Sequence, residues 1–215
     1  VLAFCLYRLR GMDRRKKIPL LGVLSAVMLA AMSLEILPIA YHLNLSVVAG
    51  ILLGPSLGFI AAFIVNCMLA LLGHGGITVM GLNTLLLGAE AMLGHALFYL
   101  LPDHWSVSRR AASATVLALL LASCCLIAIV GISHADSDRF LPRHGGEADH
   151  QDDRGSSPAL GAFAVTVLSV GLIGWIIEAA VTGAVIRFLS QVKPELLSHV
   201  LHKDTCKAGT EGCTP

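Results

Sequence analysis

The sequence is poor in charge. Lys, Arg, Asp and Glu make up only 13% of its 215 residues, about half the roughly 25% usual in soluble domains. So little charge cannot cover a water-facing surface of this size. Aromatic residues are scarce as well, at 6%. The formal net charge is only +1, so no global field draws the chain to nucleic acid. There is no Walker phosphate loop, no Gly-x-Ser-x-Gly and no His-Glu-x-x-His. These absences leave no recognisable device for ATP hydrolysis and argue against an enzyme; active transport would need energy from another subunit. Of the six cysteines, Cys5, Cys67, Cys124 and Cys125 lie in apolar runs, where a thiol behaves as a small hydrophobe. Cys206 and Cys213 sit in a polar tail without metal-finger spacing. No disulfide framework follows.

What the chain does have is long apolar stretches, with 56% hydrophobic residues and 21 glycines. A membrane-spanning helix needs about 20 mostly apolar residues. Ile18–Ala40, Ile77–Leu101, Ala111–Ile132 and Leu160–Leu189 meet that requirement. The chain opens at Val1 inside an apolar run, without an initiator Met, so Val1–Leu9 reads as the end of a truncated spanning helix. The run Leu43–Leu72 would be about 45 Å of helix at 1.5 Å per residue, too long for a hydrocarbon core of roughly 30 Å. Gly54-Pro55-Ser56 lies in its middle and favours a turn. Two shorter helices, Leu43–Leu53 and Leu57–Leu72, are the alternative to one long one.

Basic residues decide between these. With two helices, twelve of the fifteen Lys and Arg fall on one side of the membrane, and only Arg139, Arg143 and Arg154 on the other. With one long helix the split is nine against six. The positive-inside rule favours two helices. The expected fold is therefore an all-α polytopic membrane protein of about seven helical segments, the first truncated. A single membrane domain covers 1–197, and 198–215 forms a polar cytoplasmic tail. The original N-terminus lies outside and the C-terminus inside. Tyr41–His42, Gly73–Gly76 and a polar loop at 133–158 face outward. Arg8–Lys17, the Gly54-Pro55-Ser56 turn and Pro102–Arg110 face inward.

Small residues recur every fourth position at Gly50, Gly54 and Gly58, and again at Gly22, Ala26 and Ala30. Such stripes let helices touch backbone to backbone, either within this bundle or against a partner membrane subunit. Polar groups inside the spans include Glu35, Asn66, Asn83, Thr84, Glu90, His95 and Glu178. Intramembrane polar groups are costly and point to function or to mutual satisfaction; Glu90 and His95 could satisfy one another or a neighbouring helix. His42 and His74 lie at outward helix ends, where each is either a metal ligand or an interfacial histidine. The 133–158 loop holds His134, His144 and His150 among six carboxylates. Its spacing fits no defined site, and it reads as a solvated segment, with weak cation collection as the alternative.

Three ordered motifs carry a family resemblance. The first runs from Tyr41-His42-Leu43-Asn44-Leu45-Ser46 through Ala49-Gly50-Ile51-Leu52-Leu53-Gly54-Pro55. The second is Leu72-Gly73-His74-Gly75-Gly76-Ile77-Thr78 with Gly81-Leu82-Asn83-Thr84. The third is Glu178-Ala179-Ala180-Val181-Thr182-Gly183, leading to Val192-Lys193-Pro194-Glu195-Leu196-Leu197. Together they resemble the CbiM/NikM family, the cobalt and nickel substrate-capture subunits of energy-coupling-factor ABC transporters. The resemblance implies a seven-helix permease component in the cell inner (plasma) membrane. It would take up Co²⁺ or, next, Ni²⁺ as cargo rather than cofactor, in support of cobalamin synthesis. It implies partners: a transmembrane scaffold subunit, two ATPase subunits and a small auxiliary membrane subunit.

In that family a Met-His start supplies most of the ligands and a histidine after the second helix completes the site. His42 occupies that position, and the Met-His start is absent here. Family members often carry Asp or Phe where this chain has His74, so His74 either adds a ligand or lines the entrance. Asn83 and Thr84 resemble the family's supporting residues. Two other function classes stay open. A vitamin-capturing subunit would need aromatic stacking, and only Trp105 and Trp175 are present. A stand-alone secondary transporter would need a second broken helix to match the one at Gly54-Pro55.

Overall fold

Seven α-helices follow one another along the residues that the computed structural model describes: 1–8, 14–33, 42–73, 80–140 and 157–197. They are α1 (Leu2–Arg8), α2 (Arg14–Ser33), α3 (Ser46–Leu53), α4 (Pro55–Leu71), α5 (Met80–Leu100), α6 (Val107–Phe140) and α7 (Ser157–Val192). A 3₁₀ turn at Pro194–Leu197 follows α7. The described residues contain no strand. The chain is thus an all-α membrane protein, as its composition predicts.

The long apolar run does break, and the break is a single residue. Gly54 has φ +89° and ψ 169°, a region of backbone space that only glycine occupies readily. Pro55 then opens α4 at a position where its missing N–H costs nothing. The expected three-residue turn therefore shrinks to Gly54, and α4 starts two residues earlier than the sequence pattern suggests. The break leaves α3 only eight residues long, about 12 Å. All of α3 except Leu52 is buried. It lies among α2, α4, α5, α6 and α7 as a half-helix inside the bundle.

Glycine makes that burial possible. A Cβ on Gly50 would sit 2.0 Å from the Ala91 carbonyl oxygen of α5, and one on Gly58 would sit 3.0 Å from Gly50 Cα. The backbones of α3, α4 and α5 thus meet with no side chain between them at this level. Further along α5, Gly94 makes room for the Val47 side chain and Gly88 for the Phe59 ring. The docking alternative for the Gly50–Gly54–Gly58 stripe does not hold at Gly50 and Gly58, because α5 at the first and α3 with α5 at the second already fill the space. Around this contact Val47, Ile51, Leu53, Leu57, Val65, Phe98 and Ile186 form the apolar core.

The longest helices are α6 and α7, which pack along one another and are tied by Ser108 Oγ donating to Gly183 O at 2.9 Å. Within them Val107–Ile132 and Phe163–Val192 are long and apolar enough to cross a membrane. Their outer faces expose Leu117, Leu121, Ile129, Leu172, Ile176 and Phe188, which lipid tails accept as readily as a protein interior. Helix α6 continues to Phe140, past the point where sequence places a loop at 133–158. No Gly or Pro falls between Gly131 and Pro142, so nothing interrupts the helical hydrogen bonds when the chain leaves its apolar stretch. Residues 141–156, with His144 and His150, and the tail 198–215 lie outside the described residues.

At the end where α5 passes to α6, Arg110 is almost wholly buried. It donates to Phe98 O at 3.1 Å, pairs with Asp103 at 3.3 Å, and lies 4.8 Å from the Phe98 ring centroid. One guanidinium thereby fastens the turn between the two helices.

Two glycine substitutions test this packing by thermal unfolding in detergent. Gly50→Ala should cost about 3 kcal/mol or more, the upper range for overpacking, because backbone cannot yield. Gly22→Ala, with open space around it, should stay within about 0.5 kcal/mol of the parent. Gly54→Ala meets no neighbour within 4 Å, so its loss, about 1–3 kcal/mol, would measure backbone strain alone.

Candidate functional site

The segment 42–45 enters the bundle without helical structure. Irregular backbone at membrane depth is tolerated only where protein satisfies its polar groups. Asn44 does part of this: its Oδ1 accepts from Ser46 N at 2.7 Å, capping the first turn of α3 from outside the helix. Leu45, at the N-cap position, takes the left-handed conformation with φ 52° and has no capping side chain. Its carbonyl nevertheless accepts from Ala49 N at 3.1 Å. Leu43 and Leu45 are buried in the core.

Glu90 completes the arrangement from α5. One carboxylate oxygen, Oε2, accepts from Asn44 Nδ2 at 2.6 Å and from Ser46 Oγ at 2.8 Å. With the Asn44–Ser46 bond this closes a ring of three hydrogen bonds around the N-terminus of α3. A carboxylate at that end also complements the helix dipole. Of the two sequence-level alternatives for Glu90, a neighbouring segment rather than His95 satisfies it. His95 turns instead to α3, its Nδ1 donating to Gly50 O at 3.0 Å, while its ring packs 4.6 Å from that of Tyr99.

His42 lies two residues before Asn44, at the start of the pinned segment. It is partly exposed, yet its Nδ1 is buried and has no hydrogen-bond partner among the described residues. Buried polar atoms are nearly always satisfied, so an orphan imidazole nitrogen asks for an electrophile or a proton donor. On α5, Thr84 is buried, and its Oγ1 also has no partner among the described residues. It stands six residues before Glu90, about 9 Å along the helix axis. Asn83 beside it is partly buried. His74 lies outside the described residues. Among the described residues no three His, Cys, Asp or Glu side chains converge on one point, so His42 would act with donors of another kind or from beyond those residues.

Sequence reasoning named His42, Asn83, Thr84 and Glu90 but missed Asn44 and Ser46. The signal was present: Asn44-Leu45-Ser46 directly precedes an apolar helix, a usual start signature. What sequence could not show is that their partner lies more than forty residues away on α5.

A family model described as "Cobalt uptake substrate-specific transmembrane region" matches residues 1–196. No curated protein matched the chain, and no solved structure matched it.

Proposed function

Because the chain belongs to this CbiM family of cobalt-uptake transmembrane proteins, we propose that it is the substrate-capture subunit of an energy-coupling-factor importer for Co²⁺, with Ni²⁺ as the next candidate. The observation that carries this reading is His42, whose buried Nδ1 has no partner among the described residues and which opens the unwound segment leading into α3. Neutral imidazole is a suitable ligand for both ions. The remaining ligands would come from an N-terminal Met-His, as the family resemblance implies, with His74 adding a ligand or lining the entrance. Asn83 and Thr84 would support the site from α5. The affinity order for divalent metals favours Ni²⁺ over Co²⁺ at any given nitrogen site. Selection of cobalt would therefore rest on geometry and supply.

The sequence carries no phosphate-binding loop. In this reading a scaffold subunit, two ATPase subunits and a small auxiliary membrane subunit supply the coupling, and the imported metal serves cobalamin synthesis. The Lys and Arg distribution supports an inner-membrane protein whose first helix starts toward the outside and whose C-terminus is cytoplasmic.

Calorimetry with Co²⁺ and Ni²⁺ on the protein carrying the N-terminal Met-His that the family resemblance implies tests the capture role. His42→Ala should weaken binding by more than about 100-fold, beyond what loss of a merely supporting partner costs. Equal binding by parent and variant would sink the assignment of His42. Orientation is tested by keeping only Cys206 and Cys213. A membrane-impermeant maleimide should label them in inverted vesicles and not in intact cells.

A further inference from the structure

Glu90 is a buried acidic group hydrogen-bonded to the residues that follow His42, and the capture reading leaves it without a task. It is buried, it lies near the middle of α5, and both donors on its Oε2 come from Asn44 and Ser46. Neither donor is a neighbour in sequence. The carboxylate therefore fixes where α3 begins and how the chain approaches it.

His42 is joined to Asn44 through Leu43 alone. Leu43 is itself buried, and Leu45 is held in a left-handed conformation. With both hydrogen bonds in place the segment has little freedom to rotate, so the direction of the His42 imidazole is set two residues further on. Metal sites need ligands held within about 0.5 Å and 10–20° of the productive geometry. A histidine on unwound backbone meets that demand only if something else holds the backbone.

We propose that Glu90 is the positioning residue of the cation site, holding Asn44 and Ser46 so that His42 presents its imidazole at a fixed angle. This rests on the capture role assigned to His42 above. Glu90 acts by accepting two hydrogen bonds, not by binding the cation. Glu90→Gln keeps an amide oxygen in place of Oε2 and preserves both acceptor contacts, whereas Glu90→Ala removes them.

Calorimetry with Co²⁺, on protein carrying the N-terminal Met-His in lipid nanodiscs, reads the outcome. Glu90→Ala should lose about 10- to 100-fold in affinity, the usual effect of removing a partner that orients a ligand. Glu90→Gln should stay within about threefold of the parent. The visible absorption spectrum of bound Co²⁺, which reports ligand geometry, should change in Glu90→Ala and not in Glu90→Gln. In a His42→Ala background Glu90→Ala should cause no further loss, since a residue acting through His42 has nothing left to orient. Additive losses would mean general destabilisation and overturn the proposal, as would a Glu90→Gln variant as weak as Glu90→Ala. If Glu90→Ala fails to fold, Ser46→Ala carries the same test in milder form. It removes one of the two bonds, and it should weaken Co²⁺ binding several-fold in the parent and not in His42→Ala. Parental affinity in Glu90→Ala, with loss in His42→Ala, overturns the positioning role and leaves the capture role standing. Parental affinity in His42→Ala removes the capture role itself.

Discussion

At Gly50 the backbone of α3 rests on the backbone of α5, and the rest of the structure is arranged around that contact. A methyl group there would collide with the Ala91 carbonyl at 2.0 Å. In lipid no hydrophobic force drives helices together, so close approach and complementary polar contacts must hold them. The contact draws α3 inward until it has almost no exposed surface. It places the Gly50 carbonyl within reach of His95, and Ser46 within reach of Glu90. It also brings Gly58 against the same point from α4. One absent side chain thus brings three helices and two intramembrane polar groups into register.

The same arrangement explains how a chain so poor in charge keeps irregular backbone inside the bundle. Asn44, Ser46 and Glu90 form a closed polar set within an otherwise apolar neighbourhood of Leu43, Leu45 and Val47. A set like this is stable only if every member is satisfied, because low dielectric strengthens each bond and penalises each gap. His42 lies outside this set, two residues before Asn44, and its buried Nδ1 has no partner among the described residues.

Much of this was legible in the sequence. Spanning length, glycine placement and the Lys and Arg asymmetry gave seven segments and separated α3 from α4, since those signals depend on local composition and on one global rule. The turn proved shorter than expected because Pro55 can begin a helix as well as end one. Helix α6 proved longer because Ser133–Phe140, though polar, contains no helix breaker. The direction of the Gly50–Gly58 stripe was not legible: a repeat of small residues shows that something approaches closely, not what. Nor was the Glu90 partnership, which spans more than forty residues. His42 could be singled out by position, whereas the lack of a partner for its Nδ1 among the described residues is a fact of three-dimensional surroundings.

The shortness of α3 bears on how such a chain enters a bilayer. Eight residues fall far short of the roughly 20 that let a helix partition into lipid independently. The segment before it carries backbone groups that lipid cannot satisfy. Helix α3 can therefore not be inserted as a span of its own in the order of synthesis. Its place depends on α5, which supplies the Ala91 backbone and the Glu90 carboxylate. The segment that carries His42 is accordingly supported by protein rather than by the bilayer.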